Sequence, residues 1–246
     1  MPRIFVFTNG GKNCIIGIME EITMFGADYI IQKIISIPLI LIALVGHELA
    51  HGYVSAWLGD PTPKAYGRLS LNPLNHIDPI GALLMLVAGF GWAKPVMINP
   101  QYYKNRKWGT ALVSLAGPLA NLCMAFIALL LYVIFLLVCV KTDLGIYVSE
   151  SAINWSGRIA MLLASYNLSF MVFNLIPIPP LDGSKVLGAF LPNSIYYRML
   201  NLERYYTLVL LGIIFLLSRL GVFDIVIGGG ISFIFNGMLS LLSIFF

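Results

Sequence analysis

Residues 109–140 contain neither an acid nor a base. A helix needs about 20 mostly apolar residues to cross the hydrocarbon core of a bilayer, and this run exceeds that length. A soluble fold would have to bury it together with the rest of an unusually apolar chain. Of the 246 residues, 59% are hydrophobic and 11% are charged, against about 45–50% and about 25% in soluble domains. Mean hydropathy is +0.88. Too few polar side chains remain to coat a water-exposed surface. The sequence therefore predicts an all-α, polytopic membrane protein and excludes a water-soluble domain.

Further apolar segments lie at 34–58, 159–181, 205–217 and 222–246. Residues 79–91 are apolar but too short for a comfortable span, so a re-entrant or β-hairpin-like membrane element is expected near 79–93. The whole reads as about five to six transmembrane helices plus that element. Residues 1–33 carry Glu20, Glu21 and Asp28 among apolar neighbours, which suits an interfacial amphipathic segment. With Arg3 and Lys12 but no apolar core ending in small residues, the start does not read as a removable signal peptide. The three cysteines, Cys14, Cys123 and Cys139, form no CxxC pair and imply neither a disulfide framework nor a thiolate metal site. The net charge of +4 fits basic cytoplasmic loops rather than nucleic-acid binding.

Within 34–58 stands His47-Glu48-Leu49-Ala50-His51, the pattern H-E-x-x-H. Residues four apart on a helix share a face, so both imidazoles can reach one metal ion. Zinc accepts neutral imidazole and, in catalytic sites, keeps a position open. Glu48 is then placed as the general base for a water attacking a carbonyl. A carboxylate alone costs about 2.5–3.5 kcal/mol at the centre of a membrane helix. A divalent cation offsets that cost better than a polar knot between helices does. A catalytic zinc wants a third protein ligand, often a carboxylate. Asp182 is the leading candidate, after the proline-broken stretch Asn174-Leu175-Ile176-Pro177-Ile178-Pro179-Pro180-Leu181. Irregular backbone at membrane depth is tolerated where protein or a water-filled cavity lines it. An ordinary loop aspartate before the turn glycine Gly183 is the competing reading.

These motifs, with "NLIPIPPLDGSKV" far downstream of His47–His51, resemble the site-2 protease family of intramembrane zinc metallopeptidases. "GRLSLNPLNHIDPIG", "GFGWAKPVMINP" and "SLAGPLANL" extend the likeness in order from about residue 40 to 190. The resemblance implies that His47, His51 and Asp182 bind one Zn2+, that Glu48 is the general base, and that substrates are transmembrane proteins cut in or near the bilayer. It implies one membrane-embedded peptidase domain, 1–246, with a catalytic core at 34–190 and C-terminal helices at 191–246. The likeness is to the short form of that family, without a PDZ or CBS domain. Substrate identity and oligomeric state are left open.

Membrane parity bears on Asp182 independently of that resemblance. If 79–93 crosses fully, Asp182 emerges on the side opposite residue 58. If it dips and returns, both approach from one side. The second arrangement also gathers Lys64, Arg68, Lys94, Lys104, Arg106, Lys107, Lys185, Arg198 and Arg204 on that side, leaving Lys141 and Arg158 on the other. The positive-inside tendency makes the richer side cytoplasmic. A multi-pass protein of the cell membrane follows, with its site nearer the cytoplasmic leaflet.

Two further residues have open roles. Asn174 either hydrogen-bonds substrate or the oxyanion or ties neighbouring helices. His76 either helps stabilise the transition state or holds a turn. Gly117, Pro118 and Asn121 read as permitting close helix packing. A metal-ion transporter or channel using the same His/Glu/Asp cluster is the alternative function, but 109–140 and 205–217 offer no relay of ionisable groups across the membrane. Lys94→Cys is expected to react with a membrane-impermeant thiol reagent from the cytoplasmic face; labelling from outside would overturn the orientation.

Overall fold

The computed structural model describes residues 27–79, 81, 94–142, 147–196, 198, 212, 216 and 221–242. Among these residues the elements are helical: α1 Ala27–Trp57, the short α2 Thr62–Ala65, α3 Arg106–Lys141, α4 Glu150–Asn174, α5 Asp182–Phe190 and α6 Val222–Leu242, with 3-10 turns at Pro73–Asn75 and Pro100–Tyr102. The all-α expectation holds. Two compact units divide the chain, 1–38 and 39–246. In the first, α1 begins, and Ser36 Oγ donates to the Gln32 carbonyl one turn back at 2.8 Å. The second contains the remaining elements.

α3 is capped at its start by Asn105, whose side chain accepts from Trp108 N–H at 3.2 Å, and Lys141 faces the negative end of the helix dipole. Leu112, Leu119, Ile127, Leu131, Ile134, Val138 and Val140 are all exposed along it. Such a column of bare hydrocarbon on a continuous helix belongs in lipid. Among the described residues, two helical stretches are long and apolar enough to cross a membrane, Ile34–Trp57 and Arg106–Lys141, while the apolar part of α6, Gly228–Leu242, is shorter.

α4 runs antiparallel to α3, since Gly157 faces Tyr132 near one end and Asn167 bonds Asn121 nearer the other. Ala125, Leu129 and Val133 of α3 pack on Ala164 and Leu168 of α4, with Met238 and Leu242 of α6 closing the cluster. α1 also runs antiparallel to α3: the Ala43 carbonyl meets Asn121, and Ser55 meets Tyr103 just before α3. The end of α1, the start of α3 and the end of α4 therefore share one end of the bundle. The connection between α1 and α3 leaves and returns there. Lys94 N–H donates to the His76 carbonyl at 2.7 Å.

A buried polar knot fastens that end. Asp60 accepts from Ser55 Oγ at 2.7 Å, Thr62 N–H at 2.9 Å and Asn99 N–H at 2.6 Å. Tyr103 OH lies 2.7 Å from Ser55 Oγ. The Arg68 guanidinium donates to the Asn75 carbonyl, closing the turn between them.

Several boundaries differ from the sequence expectation. α1 begins at Ala27, inside the stretch read as an interfacial segment. α4 begins at Glu150 rather than 159: Ser149 caps it and Glu150 favours the positive end of the dipole. α4 ends at Asn174 because Pro177, Pro179 and Pro180 cannot continue a helix. α5 follows the apolar segment expected to end at 181 and is too short to show a clear apolar period. The element expected near 79–93 and the segment 205–217 lie almost wholly outside the described residues.

Burial pushes the Asp60 carboxyl up, but hydrogen bonds from Thr62, Asn99 and Ser55 outweigh it and hold the group below the usual carboxylate range. A lowered folded-state value contributes stability that is present above the unfolded value of about 4 and lost as pH falls through the folded one. Stability against thermal unfolding in micelles should therefore weaken below about pH 4. Asp60→Ala should cost about 1–3 kcal/mol at neutral pH and flatten that acid dependence.

Candidate metal centre

His47 and His51 project from one face of α1, their rings edge to face at 88° with centroids 4.6 Å apart. The two Nε2 atoms lie 3.0 Å from each other. Asp182 Oδ2 lies 3.2 Å from His47 Nε2 and 3.1 Å from His51 Nε2. His47 and Asp182 are buried, His51 half-buried. The sequence brings these three residues together from opposite ends of the core, and the fold completes the convergence.

The outer nitrogens of the rings explain why. His47 Nδ1 meets Asn121 Oδ1 at 2.6 Å, and His51 Nδ1 meets the Val113 carbonyl at 2.7 Å. A carbonyl only accepts, so each Nδ1 carries a proton, and in the neutral rings each Nε2 presents a lone pair. With both rings neutral, two lone pairs and a carboxylate oxygen face one point. This donor set fits a cation. Its spacing fits zinc in particular: ligands about 2.0–2.1 Å from a tetrahedral ion lie roughly 3.3 Å from one another.

Two glycines make the approach possible. A Cβ on Gly117 of α3 would sit 2.6 Å from His47 Cε1 and from His51 Cε1 and Nε2. Only a bare backbone lets α3 lie against both rings. A Cβ on Gly183 would collide with the Leu175 carbonyl and lie 2.7 Å from the Ile176 oxygen. Gly183 thus allows the first turn of α5 to rest on the backbone that leaves α4, and this sets Asp182 opposite the histidines.

Glu48 stands beside the cluster, half-buried, with Oε2 accepting Val96 N–H at 2.9 Å. Val96 belongs to the irregular segment 94–99, and its side chain leans on α1 where Gly52 leaves room. Asn174 ends α4 and its Nδ2 donates to the Phe170 carbonyl at 3.0 Å. His76 is buried, and its Nε2 lies 2.8 Å from the Ser70 carbonyl, a contact that closes the 70–76 turn. Asn121, read from the sequence only as a packing residue, is the contact that fixes His47. The one available signal was a polar amide inside an otherwise apolar membrane helix, which is costly unless it has a partner.

The sequence profile of peptidase family M50 matches residues 35–219. The chain belongs to that family. Among similar proteins is YwhC of Bacillus subtilis (strain 168), named as a zinc metalloprotease, 37% identical over 172 residues that cover 70% of this chain and 76% of YwhC. Rip2 of Mycolicibacterium smegmatis, similarly named, is 33% identical over 150 residues, 58% of this chain and 52% of Rip2. MJ0611 of Methanocaldococcus jannaschii is 31% identical over 161 residues, 64% of this chain and 71% of that protein. The match thus spans about three quarters of YwhC but only about half of Rip2. No solved structure matches. The names of these relatives and the donor set of this M50 peptidase agree on zinc as cofactor.

Gly117→Ala should displace both imidazoles and weaken zinc binding by about 10- to 100-fold, the range seen when ligand orientation is lost. Gly228, with open space where its Cβ would stand, serves as the control: Gly228→Ala should leave the affinity unchanged. Competition with a chelating dye reads both.

Proposed function

We propose that this peptidase is an intramembrane zinc endopeptidase that hydrolyses peptide bonds in or near transmembrane segments of other proteins. The observation that carries the reading is the convergence of His47 Nε2, His51 Nε2 and Asp182 Oδ2 beside Glu48, on helices that present bare hydrocarbon outward. His47, His51 and Asp182 would hold the ion. Zinc bound there supplies a Lewis acid that polarises a carbonyl and acidifies a water.

The protein's own groups do the rest. Val96 N–H holds Glu48 Oε2, which fixes the carboxylate and leaves Oε1 to take the proton of the attacking water. The water oxygen bonds to the scissile carbonyl carbon, the carbon–nitrogen bond breaks, and Glu48 returns the proton to the leaving amine. A peptide bond inside a helix is shielded by its own hydrogen bonds, so the substrate must unwind locally. Asn174, at the end of α4, is a candidate contact for the unwound substrate or its oxyanion. His76 is kept as a second candidate, subject to its bond to the 70–76 turn.

A re-entrant element at 79–93 belongs to the same proposal. It is supported by the His76–Lys94 hydrogen bond, which brings the flanks of that segment together. The shared end of α1, α3 and α4 carries exposed Lys64, Lys94, Lys104 and Arg106 and would face the cytoplasm. One domain with about five to six spans fits this arrangement.

Purified protein should cut a model transmembrane substrate in micelles. Glu48→Gln should keep its zinc and lose about 10²- to 10⁴-fold in rate, while Asp182→Ala should lose zinc occupancy and cleavage together. Vectorial zinc flux into proteoliposomes that survives Glu48→Gln would favour a transporter instead.

A further inference from the structure

Asn121 of α3 and Asn167 of α4 are both fully buried. Asn121 Nδ2 donates to the Ala43 carbonyl at 3.0 Å and to Asn167 Oδ1 at 2.8 Å. Asn167 Nδ2 in turn donates to the Leu163 carbonyl at 2.8 Å. A side-chain amide has two hydrogens and one oxygen, and its two orientations are told apart by the partners around it. Here both hydrogens of Asn121 are used, so its oxygen must face His47.

Reversing Asn121 would put its oxygen against two other oxygens, those of Ala43 and Asn167. Reversing Asn167 would put its oxygen against the Leu163 carbonyl and its NH₂ against the NH₂ of Asn121. Two backbone carbonyls, which cannot be reversed, therefore fix the whole chain. His51 needs no such device, because a backbone carbonyl, that of Val113, meets its Nδ1 directly. His47 is the ligand whose tautomer depends on side chains.

We propose that Asn167 and Asn121 form a relay that sets the protonation pattern of His47: Leu163 carbonyl to Asn167, Asn167 to Asn121, Asn121 to His47 Nδ1. The relay rests on the reading of His47 as a zinc ligand. Its product is a proton held on Nδ1 and a bare Nε2 turned toward Asp182 and His51. Asn121 and Asn167 are positioning residues, since neither lies in the metal-ligating group itself. Asn167 acts from the neighbouring helix, two side chains away from the ion.

The test uses full-length protein, zinc alone as the probe, the visible spectrum of the cobalt-loaded form, and ¹⁵N shifts of His47 in the metal-free form. Asn121→Leu should weaken zinc binding by about 10- to 100-fold and shift the cobalt bands. Asn167→Leu, which leaves every direct contact of His47 in place, should do the same to a smaller degree and populate the other His47 tautomer. Asn167→Asp should restore wild-type behaviour, because a neutral buried acid both accepts from Asn121 and donates to Leu163. Wild-type affinity, spectrum and His47 shifts in Asn167→Leu would overturn the relay. Should Asn121→Leu fail to fold, the Asn167 pair decides alone. His47→Ala separates the two claims: if it binds zinc like the wild type, the ligand assignment is wrong, whereas loss of zinc there with an unaffected Asn167→Leu removes only the relay.

Discussion

Two imidazole lone pairs and a carboxylate oxygen, mutually about 3 Å apart, repel one another unless positive charge lies among them. Everything around the site is arranged to hold that otherwise unfavourable grouping. α1 supplies two groups at helical spacing, and α5 supplies the third across a proline-broken turn. α3 presses a glycine against both rings, while amide and carbonyl oxygens pin the far side of each imidazole. The cost of assembling acceptors without donors is met by packing elsewhere, chiefly the apolar seam of α3, α4 and α6.

The division of labour along α3 follows from this. Its first half, near the shared end of the bundle, touches polar partners: Val113 carbonyl, Gly117, Asn121. Its second half contributes Ala125, Leu129 and Val133 to a purely apolar cluster. Small residues at the first half permit backbone approach, and larger ones at the second fill the space between helices. The connection between α1 and α3 is fastened separately, by Asp60 and Ser55 together with Tyr103, so the loop bearing Val96 reaches Glu48 from a fixed base.

Much of the site was legible in the sequence because its chemistry is written in rare residues. Ionisable groups inside an apolar helix stand out, and the i, i+4 spacing of His47 and His51 converts directly into geometry. Asp182 was visible through its prolines and through parity, although its chemical type alone did not separate it from a loop aspartate. Asn121 and Asn167 were not legible as partners of His47 and of each other. An amide in a membrane helix announces only that it needs a partner; which partner depends on how α1, α3 and α4 align, and no local pattern contains that. Helix ends failed where capping outweighed hydropathy, as at Ser149–Glu150, and where a helix as short as α5 left no period to read.

His47 and Asp182 are 135 residues apart in the chain. An ion gripped by both is a cross-link as well as a cofactor, closing a long loop that the unfolded chain would otherwise leave open at considerable entropic cost. Because such a bond exists only in the folded form, occupancy and persistence of the fold are linked by mass action. A chelator acting on this enzyme would therefore do two things at once: stop its chemistry and unfasten α5 from α1.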